Sequence, residues 1–247
     1  MLLIGFFRTF NNIIDIIKEN LKNIYKNSSF YEKKISKTLE IDFNYKPSPH
    51  LLSSLINYQN KKYKIDELDF NIIWENSSKS REFKKLNNFF WFFSLDLKSS
   101  KKSTQLVISN WIHKNSNYKK KSWEFDVTAK RIISWLSNHH LTYNESNDEY
   151  KLIFNHMIQK QTNHLINEIK SSKSLEDKII GCSAIILVGL SYKIEKNYLN
   201  FGLNFLKKII KHSIDNQGFS RSRNIRQQIF YLKYFILIRE WFKESLF

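Results

Sequence analysis

The stretch Gly218 to Arg226 carries Arg221, Arg223 and Arg226, with Ser220 and Ser222 set between them. Guanidinium forks beside hydroxyl donors match the oxygens of a carboxylate or sulfate, and bidentate anion recognition favours Arg over Lys. Arg is otherwise scarce against Lys in this chain, so its concentration here reads as an anion-binding turn. The competing reading is a solvated loop whose arginines pair with local acids. Trp123 and Trp135 offer flat faces on which sugar rings stack, yet tryptophans at helical spacing also anchor cores. Trp135 shares a stripe with Ile132 and Leu136, which favours the core. Arg131 precedes Trp135 by one turn, which puts both on one side of a helix and makes Arg131 a cleft candidate. The neighbours His139 and His140, and the later His164, invite metal or general-base readings. Adjacent histidines point to different helix faces, however, and no His-x-x-x-His spacing or paired Cys accompanies them, so no metal site and no cofactor are expected. No Gly-rich phosphate loop, Ser nucleophile elbow or zinc spacing occurs.

The elements that would position these residues are helices. Phe6, Phe10, Ile13, Ile17, Leu21 and Ile24 fall at helical spacing and predict an amphipathic first helix. Leu39 to Trp74 changes character: Pro47 and Pro49 break helix, and YKIDELDFNIIW alternates enough for one or two short strands. From Ser80 the pattern is helical. Phe83, Leu86, Phe90, Phe93 and Leu97 form one stripe; Leu106, Ile108, Trp111 and Ile112 the next; Val127, Ile132, Ile133, Trp135 and Leu136 a third. A long amphipathic helix through Ile153 to Ile169 follows, then one capped by Ser174 whose run Ile179 to Leu190 is apolar nearly all round and so central. Two more stripes end near Phe242. The reading is an all-α chain with an N-terminal helix and extended arm over 1–79 and an antiparallel helical array over 80–247.

The chain has 40 Lys plus Arg against 23 Asp plus Glu, a formal charge of +17, which suits an acidic polysaccharide, nucleic acid or an anionic membrane. The plainer source of that charge is an AT-rich genome, which places Lys on ordinary solvated faces; only Lys119 to Lys121 form a cluster. The single cysteine, Cys182, sits in an apolar run and reads as a buried, inert thiol. MLLIGFFRTF lacks a basic residue before its apolar part and a small-residue cleavage site, so it makes a poor signal peptide. No stretch reaches the ~18–20 apolar residues of a membrane span. These readings predict a soluble or at most peripheral protein in the cytoplasm.

Three segments, WEFDVTAKRIISWL (Trp123 to Leu136), IIGCSAIILVGL (Ile179 to Leu190) and DNQGFSRSR (Asp215 to Arg223), together resemble the helical domain of heparinase II/III-like polysaccharide lyases. The resemblance covers Ser80 to Phe242 and is nearest a shortened branch associated with alphaproteobacteria. It implies an incomplete α/α toroid of antiparallel helix pairs, a substrate that contains uronic acid, and a β-sandwich that follows the toroid. Trp123, Arg131 and Trp135 resemble the family's pattern on a cleft-facing helix. Gln161 and His164 resemble polar positions of the following helix, and Arg221-Ser222 resembles the Arg-Ser of an Asp-Gly-Gly-His-x-x-Arg-Ser-Pro turn. Periplasmic location is implied by the same resemblance.

Elimination next to a uronate needs its carboxylate neutralised, a base for the C5 proton and an acid for the leaving oxygen. The family supplies an Asn, a Tyr and a β-sandwich His. Here Glu176 and Asp177 stand where Asn and His would be, and Ile225 stands at the Tyr position. An acidic pair repels a substrate carboxylate. Phe247 follows the toroid too closely for a β-sandwich, so the resemblance implies either a separately encoded second half or a toroid kept for binding. The expected function is acidic-polysaccharide binding, with β-eliminative cleavage only if the missing groups come from elsewhere. The alternative is a non-enzymatic binder of glycan or nucleic acid polyanions.

Overall fold

The computed structural model describes residues 2–37, 43–48, 51, 80–96, 98–172, 174–192 and 197–246. The chain is all-α, and among the described residues the β content is a few isolated bridging residues, Ile214 with Ser220 among them. In chain order the helices are α1 (Leu2–Lys26), α2 (Ser29–Ile35), α3 (Ser80–Asn87), α4 (Lys101–Asn115), α5 (Phe125–Ser137), α6 (His139–Thr142), α7 (Asp148–Glu168), α8 (Leu175–Tyr192), α9 (Asn197–Ser213) and α10 (Ile225–Ser245). The strands expected within YKIDELDFNIIW fall outside the described residues.

Local chemistry sets the helix starts. Ser28, Ser100, Asn147 and Asn224 each accept a backbone N–H of the first turn that they cap. Ser174 does the same for α8, its Oγ accepting from the Asp177 amide at 3.2 Å. One stripe is broken where the sequence predicts continuity: α3 ends at Asn87, Phe89 turns left-handed (φ 58), and Phe90–Ser94 form a 3-10 helix. Short polar side chains compete for the backbone here. Asn87 Nδ2 donates to Phe83 O (2.9 Å), Asn88 Oδ1 accepts from the Phe90 amide (2.9 Å), and Trp91 Nε1 donates to Leu86 O (3.2 Å). The break drives Phe89 into the core against Trp135, ring centroids 5.3 Å apart.

The apolar helix α8 is the centre of the molecule and packs on α5, α7, α9 and α10. Glycine lets its neighbours approach. A Cβ on Gly189 would lie 2.5 Å from Leu199 N, and one on Gly202 of α9 would lie 2.7 Å from Ile186 Cγ1. The arm joins the same core: Tyr31, Ile35 and Phe43 are buried with the helical residues, and Phe43 stacks on Tyr192 at 5.5 Å. The amides of Asn44 and Tyr45 both donate to Ser191 O, and Tyr45 Oη donates to Glu244 Oε2 at 2.7 Å. Residues 29–45 and the helical array thus share one hydrophobic interior across their described parts.

Candidate functional site

Arg131 is fully enclosed, at 0% exposure, by the helices that its own stripe builds. Its Nε donates to Gln161 Oε1 (2.8 Å), Nη1 to Asn87 O (2.7 Å) and Ser122 O (3.0 Å), and Nη2 to Thr128 Oγ1 (3.2 Å). The guanidinium also lies over the Trp111 ring, 3.9 Å from its centroid. Trp111 Nε1 donates to Asn87 Oδ1 (2.8 Å), so both ends of Asn87 are bound into the same knot. No carboxylate pairs with Arg131 among the described residues; burial pushes its pKa well below the usual arginine value. Dipoles of neutral oxygens and the indole face hold its charge.

Gln161 is held by this arrangement. Its oxygen must face the guanidinium, which fixes the amide orientation and leaves Nε2 without an acceptor among the described residues. His164, one turn further along α7, is 1% exposed. Its Nε2 lies 2.9 Å from Trp123 O and its Nδ1 2.7 Å from Tyr31 Oη. A carbonyl only accepts, so Nε2 carries the proton and Nδ1 accepts from the Tyr31 hydroxyl. Burial, then Lys26, pushes the His164 pKa down to about 3. Trp123 and Trp135 are buried at 1% and 0%; Trp123 packs edge-on to His164, and Trp135 packs between Phe89, Trp111 and Phe154.

Trp123, Arg131, Trp135, Gln161 and His164 therefore come together, but as an interior network. The cleft-facing placement that the resemblance implies is corrected, whereas the stripe that Trp135 shares with Ile132 and Leu136 already favoured the core. Long aromatic side chains from the 3-10 segment, α4 and α7 close over α5, and residues this deeply enclosed offer no surface to a sugar. Tyr31, the partner of His164, lies far away in sequence and no local spacing pointed to it.

The arginine turn is different. The end of α9 and the start of α10 are joined by a tight connection in which Asp215 N donates to Phe219 O (2.8 Å) and Arg221 N to Ser213 O (2.8 Å). Gly218 adopts φ 85, a conformation that favours glycine, and Arg223 adopts φ 55. Asp215 collects the turn: its Oδ1 accepts the amides of Gln217 and Phe219, and its Oδ2 pairs with Arg223 Nη2 at 2.7 Å. The Phe219 amide foremost, with Gln217, Arg223 and Arg221, holds the Asp215 carboxyl below its ordinary range. Ser222 Oγ donates to Gln227 Oε1 (2.6 Å), and Ser220 is buried with its amide bound by Gln228 Oε1 (2.5 Å). Arg221 and Arg226 are exposed and form no salt bridge among the described residues, although Arg221 lies near enough to act on the Asp215 charge. The turn thus carries one salt-bridged guanidinium and two exposed ones outside any salt bridge, all on a braced backbone.

A third feature escaped the sequence reading. An open polar cleft of about 610 Å³ is lined by Asn44, Lys46, Tyr143, Asn144, Glu145 and Lys151. Most of its charges are engaged: Lys151 pairs with Asp148 (3.3 Å), Glu145 pairs with Lys101, and Lys46 donates to the neutral Asn144 Oδ1 (3.2 Å). Residues nearly a hundred positions apart meet here, so no motif announces it. Among the described residues no group of three or more His, Cys, Asp or Glu is placed to hold a metal ion. Comparison of the chain with protein-family models, with curated proteins and with solved structures gave no match.

Proposed function

We propose that the chain is the glycan-holding helical toroid of a heparinase II/III-like protein, which binds acidic polysaccharide at the turn Gly218 to Arg226 without itself supplying the groups for β-elimination. The exposed Arg221 and Arg226, outside any salt bridge among the described residues and carried on a turn braced by Asp215, support this reading best. Free guanidinium groups bind carboxylate or sulfate without first giving up a protein partner, and a braced backbone lowers the entropy lost on binding. The acid/base half of the chemistry finds no support. His164 is a buried neutral imidazole with both nitrogens engaged, Ile225 stands exposed where a tyrosine would act, and Glu176 and Asp177 open α8 with negative charge.

Retention on immobilised uronic-acid polysaccharides, followed together with ultraviolet absorbance of the unsaturated product, tests the proposal. The wild-type chain is expected to be retained and to form no product. Arg221→Ala with Arg226→Ala is expected to lose retention while melting at the wild-type temperature. Unchanged retention in that double variant overturns the site, and product formation overturns the non-catalytic reading. A basic surface read by nucleic acid instead would bind duplex DNA with a log–log salt slope of about −0.9 per phosphate contact.

A further inference from the structure

The long first helix is docked the wrong way round for a helix that covers its own protein. Over residues 12–26 the polar side of α1 faces the body: Lys22 and Lys26 pair with Glu168 of α7 at 2.7 and 2.6 Å, Lys22 also donates to Ser171 (2.8 Å), and Glu19 pairs with Lys120 (2.8 Å). Lys22, Asn23 and Lys26 are half-buried, whereas Ile13, Ile16, Ile17, Leu21 and Ile24 stand 49 to 68% exposed. At about 100° per residue those five side chains span an arc of about 140° on one side of the helix, with the exposed Asn20 the one polar residue inside it. Phe30 of α2, 69% exposed and 6.3 Å from the Tyr25 ring, extends the patch.

Basic residues rim this patch. Lys33 and Lys34 follow Phe30 by three and four positions, so they share its side of α2, and both are exposed. Lys18 is exposed on α1, and the Glu19–Lys120 pair brings the exposed run Lys119 to Lys121 alongside. A second copy of the chain fits poorly. Paired helices bury a narrow seam rather than so broad an arc, and the copy would bring the same lysines and another +17 charge to the contact. An anionic lipid surface satisfies both halves at once: acyl chains accept a wide apolar arc, and headgroups accept the flanking lysines. No helix among the described residues is long and apolar enough to cross a membrane, which fits a helix that lies along the surface.

We propose that α1 lies in the headgroup region of an anionic bilayer, with Ile13, Ile16, Ile17, Leu21 and Ile24 toward the acyl chains and Lys18, Lys33, Lys34, Lys119 and Lys121 at the phosphates. The salt links from Glu168 to Lys22 and Lys26 then carry the helical body on the bilayer. This inference is independent of the glycan reading.

Flotation of the purified chain with vesicles tests it, using phosphatidylcholine alone and phosphatidylcholine with about a quarter phosphatidylserine. The chain is expected to float with the anionic vesicles and far less with the neutral ones. Ile17→Asp with Leu21→Asp is expected to weaken flotation by at least about tenfold, the factor that loss of one large buried apolar side chain supplies. Lys33→Glu with Lys34→Glu should weaken binding to anionic vesicles only. Both pairs are exposed, and unchanged circular dichroism melts would show that the fold survives. A polarity-sensitive dye on the Ile17→Cys variant should shift to the blue on anionic vesicles, since the native Cys182 is buried. Absence of flotation, or flotation unchanged by the aspartates, overturns the proposal. Concentration-dependent dimers abolished by the aspartates, without flotation, would overturn it in favour of a second copy. An Ile17→Cys variant that resists thiol reagents in the absence of vesicles would overturn it in favour of cover by the chain's own residues.

Discussion

Replacing Arg131 by alanine removes four hydrogen bonds and a guanidinium packed on Trp111, all in the interior. Three acceptors, Gln161 Oε1, Asn87 O and Ser122 O, lose their donor in a space that water does not reach. Each buried polar group left without a partner costs about 1–3 kcal/mol, and the vacated volume adds a cavity contribution. Against this, the variant no longer desolvates a charge, which returns several kcal/mol. The net expected loss is about 3–5 kcal/mol. For a chain of this size each kcal/mol lowers the melting temperature by about 2–4 °C, so the midpoint should fall by roughly 6–20 °C. Arg131→Lys should recover little, because an ammonium cannot span carbonyls of α3 and the α5 approach together with the Gln161 amide. Differential scanning calorimetry reads the shift, and glycan retention is measured alongside. A variant that melts like wild type but loses glycan retention would refute the interior assignment and restore Arg131 to a cleft.

His164 supplies a pH test. Its folded pKa is about 3 against an ordinary 6.5, so the unfolded chain takes up the proton first as pH falls. Its contribution to stability is present above about pH 6.5 and is lost progressively toward pH 3, by about 4–5 kcal/mol in total. His164→Gln, whose amide can donate to Trp123 O and accept from Tyr31, should flatten that part of the stability profile; an unaltered profile would contradict the buried neutral imidazole. Gly189→Ala sets a methyl against the Leu199 backbone, which cannot swing aside, and should lower stability by about 1–3 kcal/mol in denaturant melts. Cys182, buried and with its thiol pushed up to about 12, should react with thiol reagents only after unfolding. Rapid labelling of the native chain would disprove its enclosure.

Much of the fold was legible because helical periodicity is a local signal. Ser174 caps α8 as its sequence indicates, and the run Ile179 to Leu190, apolar on every side, became the helix on which four others pack. The stripe from Phe83 to Leu97 reads as continuous in sequence because apolar spacing does not register Asn87 and Asn88 binding the backbone and turning it. Residues of the arginine turn are close in sequence, so their proximity was readable; which arginines stay free depended on Asp215 reaching Arg223.

The sequence by itself determined that this is an all-α chain, where most of its helices run, and that arginines gather in one turn, since these follow from residue type and short-range spacing. Tertiary structure alone decided which polar residues face inward. Periodicity places Arg131 and Trp135 on one helix side but cannot tell whether that side meets a cleft or the core. The answer came from Asn87, Trp111, Ser122 and Gln161, whose groups converge on one guanidinium from separate elements. The same holds for α1: its amphipathic pattern is plain in sequence, but only Glu168 and Lys120, far along the chain, turn its polar side inward and its apolar side out.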